Sequence, residues 1–233
     1  MIPLQQRMTE KGMPTGIAVL LYGAPGTGKT ESVYQMAKQT GRNIMRVEIS
    51  QTKSMWFGES EKIVKKIFTE YDEYAKQCDK CPILFFNEAD AVISKRRENI
   101  ASNTGQTENT IQNILLEELE KFKGILFATT NLAGNFDKAF ERRFLFKIEF
   151  SKPEIHIRSQ IWKSKLNILS EDDCKVLADK FDFSGGQIDN IVRKCTIAEV
   201  LNDSIPQLEQ IITYCNEELL FKSEQKRIGY TNR

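Results

Sequence analysis

Short apolar runs and amphipathic stretches alternate along the first two-thirds of the chain. Residues 17–22, 44–49, 83–87, 124–129 and 146–150 are compact apolar runs bounded by polar or glycine-containing segments, which predicts five strands. Between them the apolar positions take helical spacing. Val33, Met36 and Ala37 share a face within 30–39. Ile63, Val64, Ile67, Phe68 and Tyr71 form one stripe, and Ile111, Ile114, Leu115, Leu119 and Phe122 form another. Strand and helix in alternation predict an α/β fold, a five-stranded parallel sheet sandwiched by helices. Residues 98–110 are too polar to pack and are expected to form a mobile loop.

After residue 150 the pattern changes to helices without strands. Lys152-Pro153 breaks the fifth strand, and Pro153 suits the first turn of a helix running to about residue 166. Ser170, with Asp173 three residues on, reads as the next cap. Ser184-Gly185-Gly186-Gln187 reads as a capping box ahead of Ile188, Ile191, Val192 and Cys195. A last helix is expected near Pro206, carrying Leu208, Ile211, Ile212, Cys215 and Leu219. Two domains are therefore expected, an α/β part at 1–150 and a small all-α part at 151–233.

Composition narrows the partners. The 233 residues carry 33 basic and 32 acidic side chains, a formal charge of +1, so bulk electrostatics attract neither nucleic acid nor an anionic membrane. No apolar run approaches the ~18 residues of a membrane span, and the first residues lack a signal-peptide pattern, so a cytoplasmic protein is expected. Five cysteines, an odd number, argue against a disulfide framework. Cys78-Asp79-Lys80-Cys81 has metal-pair spacing, but no second pair completes a tetrahedral site, and the only histidine is the remote His156. Cys174, Cys195 and Cys215 fall among apolar helical residues and read as reduced core positions.

The chemistry is concentrated at Gly23-Ala24-Pro25-Gly26-Thr27-Gly28-Lys29-Thr30, followed by Glu31. This is the G-x-x-x-x-G-K-[ST] phosphate-binding loop, lying between a predicted strand and a predicted helix as that loop must. Glycines let successive backbone N–H groups turn toward phosphate oxygens, and the helix N-terminus adds partial positive charge. Lys29 is expected to reach the β- and γ-phosphates of a nucleotide, and Thr30 to take a position on Mg²⁺; the loop alone fits a kinase, a GTPase or a motor. Downstream, Ile83-Leu84-Phe85-Phe86 is an apolar strand that ends in Asn87-Glu88-Ala89-Asp90. Ligands bind at that carboxyl edge in open α/β sheets, and Glu88 is the candidate that polarises an attacking water.

With these motifs in order, the chain resembles the AAA+ ATPases, in particular the AAA branch that includes microtubule-severing and membrane-scission enzymes. Met55-Trp56-Phe57-Gly58-Glu59-Ser60-Glu61-Lys62 is similar to that branch's first pore loop, which implies that Trp56 and Phe57 grip a protein or peptide substrate. Ala128-Thr129-Thr130-Asn131 is similar to the sensor-1 strand end, which implies that Asn131 sits beside the attacking water. Residues 136–144 are similar to the second region of homology, which implies that Arg142 and Arg143 are arginine fingers. Phe183-Ser184-Gly185-Gly186-Gln187-Ile188 is similar to the start of the lid helix, which brings Gly186 toward nucleotide. The resemblance implies a self-associating, usually hexameric, ring ATPase that remodels proteins.

The chain departs from the pattern in three places. Asn87 stands where the family has the Walker B aspartate, and it takes the metal position with Thr30 but without a charge, so a weaker Mg²⁺ site and slower hydrolysis are expected. Only 16 residues precede Ile17, so a fragment of a longer protein is expected. Gly185-Gly186 leaves no lid arginine, as in the AAA branch. Asn87 keeps a second reading open, a nucleotide-dependent binding or switch module with weak turnover.

Overall fold

The computed structural model describes residues 4–13, 15–48, 60–93, 103–131 and 137–219, with the side chains of 4–6, 60, 91 and 103–108 left aside. The chain divides into two compact units, Met1–Ser151 and Lys152–Arg233.

The first unit is built on one sheet. Strands β1 (Ile17–Gly23), β2 (Ile44–Glu48), β3 (Ile83–Asn87), β4 (Ile125–Thr130) and β5 (Phe146–Phe150) lie in the order β2-β3-β4-β1-β5, and every pairing is parallel. Helix α1 (Leu4–Glu10) precedes the first strand; parallel neighbours need crossovers, and these carry α2 (Lys29–Thr40), α3 (Ser60–Lys76), α4 (Asp90–Ile93), α5 (Asn103–Lys121) and α6 (Lys138–Arg143). The period of two along each strand divides the core. Leu20, Leu84, Phe86, Leu126 and Ala128 face a cluster with Val64, Phe68 and Tyr71 of α3 and Ile111, Ile114 and Leu115 of α5. Val19, Leu21, Ile83, Phe85 and Phe127 face Val33 and Ala37 of α2. Burial on both faces explains why β3 is apolar along its whole length rather than alternating.

The second unit holds α7 (Ile155–Lys165), α8 (Glu171–Lys180), α9 (Gly185–Asn202) and α10 (Leu208–Glu218). Its core gathers Trp162, Leu177, Phe181, Phe183, Ile188, Ile191 and Ile211. Both predicted caps form: Ser170 and Asp173 make one reciprocal capping box, and Ser184 and Gln187 make the other. Each satisfies two amides that the helix itself cannot. Arg158 is buried yet fully used, its guanidinium donating to the carbonyls of Ala178 (2.9 Å) and Pro153 (2.7 Å) and to Asp182 Oδ1 (2.8 Å). Cys174, Cys195 and Cys215 are buried in this core, and burial pushes the Cys215 thiol up to about 12, so it stays protonated and inert.

Two expectations need correction. The loop expected over 98–110 is helical from Asn103 onward, as the first part of α5; residues 98–102 lie outside the described set. Polarity there does not mean irregular backbone. The packed residues from Ile111 onward secure the helix, and each added residue then gains a hydrogen bond at low entropic cost. The helix expected to begin with Pro153 in its first turn starts instead at Ile155, with Glu154 as N-cap, which leaves Pro153 ahead of the cap.

One side chain ties α3 to two strand starts. The buried Tyr71 hydroxyl donates to the Pro82 carbonyl (2.8 Å) and accepts the Ile125 amide (3.4 Å). Tyr71→Phe leaves that carbonyl with only the weak Cys81 thiol donor (3.7 Å) and takes the hydroxyl acceptor from the Ile125 amide, and it is expected to lower stability by about 1–3 kcal/mol. Urea unfolding checks this as a fall in midpoint at unchanged slope.

Candidate functional site

The site is assembled where β1, β3 and β4 end. After β1 the backbone turns through Gly23 (φ 138°), Gly26 (φ 75°) and Gly28 (φ 93°), conformations that favour glycine. At Gly23 a Cβ would stand 2.2 Å from the Phe150 carbonyl oxygen, so β5 passes too close for any side chain. Gly28 is the left-handed N-cap of α2. The loop is closed from within. Thr27 Oγ1 donates to the Ala24 carbonyl (2.8 Å), and Lys29 Nζ donates to the carbonyls of Gly23 (2.9 Å) and Ala24 (2.7 Å). Ala24, Pro25, Gly26 and Gly28 are exposed and Lys29 is 7% exposed. Glu31 follows in the first turn of α2, bonded to Gln35 (2.6 Å).

Thr30 faces the end of β3. Its hydroxyl donates to Asn87 Oδ1 at 3.0 Å, and Thr129 Oγ1 donates to the same oxygen at 3.2 Å. Two neutral oxygens, Thr30 Oγ1 and Asn87 Oδ1, thus stand together at the sheet edge. They suit a hard cation such as Mg²⁺ in kind, without the charge a carboxylate would add. Glu88 is exposed and its backbone is left-handed, φ 52°. Asn131 begins the segment after β4 with its side chain exposed.

Asp90 was given no role from the sequence, yet it is part of this assembly. Its Oδ1 accepts the Thr130 hydroxyl and the Asn131 amide (3.0 Å), which fixes the backbone on which Asn131 is carried. Burial pushes the Lys29 ammonium below its ordinary range, and the Asp90 carboxylate works the other way. A carboxylate just beyond the carboxyl edge of an apolar strand was the signal available for it.

The other expected residues stand apart from this group. Arg142 and Arg143 end α6. Arg143 is bonded to Glu120 of α5 (2.7 Å), whereas Arg142 is exposed and makes no hydrogen bond or ion pair among the described residues. Gly186 lies in the first turn of α9, in the second unit. Trp56 and Phe57 lie outside the described residues. Cys78 and Cys81 are half-buried between α3 and β3, where Asn43 Nδ2 donates to Cys78 Sγ (3.4 Å) and Cys81 Sγ meets the Tyr71 hydroxyl (3.4 Å). No cluster of three or more metal-ligating His, Cys, Asp or Glu side chains occurs among the described residues, and none of their helices is long and apolar enough to cross a membrane.

Residues 19–152, more than half of the chain, match the family described as "ATPase family associated with various cellular activities (AAA)". Protein CdcH of Halobacterium salinarum is 30% identical over 214 residues, covering 86% of this chain and 28% of that protein. Human fidgetin-like protein 1 is 27% identical, with 82% and 28% covered. Vacuolar protein sorting-associated protein 4B of Pongo abelii is 31% identical, with 78% and 41% covered. The chain therefore spans well under half the length of these relatives. Among solved structures, the AAA domain of FIGL-1 in complex with ADP superposes with a TM-score of 0.69 at 21% identity, covering 89% of this chain and 73% of that one. At that identity the likeness carries the fold.

The balance at Lys29 has a testable sign. Asp90→Asn keeps an acceptor oxygen but removes the charge that opposes desolvation, so the Lys29 ammonium is expected to lose its proton at lower pH than in the unchanged protein. Following the Lys29 side-chain resonance by NMR as pH is raised checks this. An unchanged or higher titration point contradicts the coupling.

Proposed function

Because the chain belongs to the AAA family of ATPases, we propose that it binds ATP with Mg²⁺ at the carboxyl edge of its sheet and hydrolyses it to ADP and phosphate. The observation that carries this reading is the convergence of Thr30 on Asn87 beside Glu88 and a loop closed on Lys29. The loop amides from Gly23 to Thr30 and the N-terminus of α2 cradle the phosphates. Lys29 exchanges its own loop carbonyls for phosphate oxygens, a favourable exchange for a desolvated cation. Thr30 and Asn87 hold Mg²⁺, which when bound neutralises charge on the phosphate oxygens. Glu88 accepts hydrogen from the attacking water, and Asn131 orients that water.

Assembly completes the proposal. Self-association, with a hexameric ring as the expected form, brings Arg142 and Arg143 to the nucleotide of a neighbouring copy, where an arginine can contribute ~10³–10⁵ in rate. Gly186 is the residue of the second unit that the family resemblance assigns to nucleotide binding. Turnover then moves Trp56 and Phe57 against a protein or peptide substrate in the cytoplasm. A binding or switch module with weak hydrolysis is the second reading, favoured by one observation, the neutral Asn87 in the metal position.

Two measurements separate these readings. The ATPase rate per subunit is expected to climb with protein concentration, because each site is completed by a neighbour. A substantial rate that stays flat with concentration removes the arginines' role in a neighbour's site, and negligible turnover despite ATP binding favours the switch. Asn87→Asp is expected to lower the Mg²⁺ concentration for half-maximal ATP hydrolysis by roughly tenfold. An unchanged Mg²⁺ dependence contradicts the metal role of this position.

A further inference from the structure

We infer that Thr129 is the positioning residue for Glu88, acting through a hydrogen-bond relay that runs from the phosphate-binding loop to the Glu88 backbone. The inference rests on the proposed role of Glu88 and assigns the device that aims it. The β3–β4 ladder ends at the pair Phe86 and Ala128. Beyond it, β4 holds the chain after β3 through Thr130, bonded to Asp90, and through Thr129, which takes the next two amides. The Glu88 amide donates to Thr129 Oγ1 (3.1 Å), and the Ala89 amide donates to the Thr129 carbonyl (2.8 Å).

Glu88 needs such a hold. Its φ of 52° places a side chain with a Cβ in the left-handed region, which costs roughly 1–2 kcal/mol over ordinary backbone. Two consecutive amides fixed on the two oxygens of Thr129 bracket that conformation from both sides of the Glu88 Cα. The Thr129 hydroxyl works in both directions: it accepts from the Glu88 amide and donates its one proton to Asn87 Oδ1 (3.2 Å), the oxygen that accepts the Thr30 hydroxyl (3.0 Å). Thr129 is 2% exposed, so water does not compete for these bonds. Strand parity places it correctly. Thr129 follows Phe127 by two residues and Asn87 follows Phe85 by two, and both phenylalanines belong to the α2-facing layer that leads up to Thr30. A change at Thr30 or Asn87, such as metal or phosphate arriving, is therefore transmitted to the orientation of Glu88.

Thr129→Val keeps the shape and the β-branch and deletes the hydroxyl, while Thr129→Ser restores the hydroxyl. Hydrogen exchange of individual amides gives a readout independent of activity, and Ala89 is its internal control because its bond runs to the Thr129 backbone. In the unchanged protein the Glu88 amide is expected to exchange slowly despite the exposure of its side chain. In Thr129→Val it is expected to exchange about tenfold faster while Ala89 keeps its protection. The kcat for ATP is expected to fall about 10- to 100-fold with KM within about threefold, since misaim costs rate and not phosphate contacts. Thr129→Ser is expected to recover both. A fast Glu88 amide in the unchanged protein, or full protection in Thr129→Val, overturns the relay. Faster exchange with unchanged kcat overturns its part in aiming Glu88. Absence of hydrolysis in the unchanged protein overturns the proposed function alone, because the exchange pattern still reports the relay.

Discussion

The hydrogen bond from the Thr30 hydroxyl to the Asn87 amide oxygen joins residues 57 positions apart in the chain, and the geometry of the candidate site depends on it. It docks the first turn of α2 against the end of β3 at the point where the β3–β4 ladder stops. The amide oxygen also receives Thr129, so the loop after β1 and the segments after β3 and β4 are referred to one atom. Parallel strands make this possible. All five carboxyl ends leave the same edge, and where the β3–β4 pairing stops at Phe86 and Ala128 the polar side chains of Asn87 and Thr129 bond to each other. Asp90 does for Thr130 and Asn131 what Asn87 does for Thr30 and Thr129. Two adjacent acceptors organise the whole edge, one neutral and one charged.

In the family pattern a carboxylate stands at the position of Asn87. Here the carboxylate coupled to the Lys29 ammonium is Asp90, which opposes the desolvation of a lysine 7% exposed. A buried ammonium facing only its own loop carbonyls pays heavily for burial unless a negative group stands near. Asp90 meets that need while leaving Asn87 free to accept two hydroxyls. An aspartate at 87 adds a negative charge to an edge that already carries Glu88 and Asp90, which favours a divalent cation and raises the cost of the empty site.

Most of the fold could be read from apolar spacing because the sheet is buried on both faces. Ile83-Leu84-Phe85-Phe86 has no reading other than a central strand once glycine and proline punctuation is counted, and α3 and α5 carry stripes wide enough to declare their inner faces. The N-terminal part of α5 escaped because its sequence carries no apolar stripe, and periodicity reports a helix only through such a stripe. The phosphate-binding loop was legible since its chemistry is local in sequence. Asp90 and Thr129 were not, because their roles come from register: which β4 residue lies opposite the end of β3 is a property of pairing, and no residue spacing within either strand records it. The left-handed Glu88 was hidden for the same reason, as its hold comes from a residue 41 positions away.

The two arginines at the end of α6 carry the same chemistry and stand in different circumstances. Arg143 rests on Glu120 of its own unit, and Arg142 is exposed without a described partner. That pairing is no obstacle to the proposed role. With its side chains 38% and 63% exposed it is a surface ion pair, a class of contact that contributes ~0–1 kcal/mol, and it dissolves wherever a more concentrated negative charge is offered. The developing charge on a transferring phosphoryl group in a closed site offers several times more. Glu120 is thus a resting place that keeps one arginine extended at low cost, while Arg142 meets a neighbour with nothing to give up. On the proposed reading the two need not contribute equally: Arg142 binds from the exposed state, and Arg143 must first exchange Glu120 for phosphate.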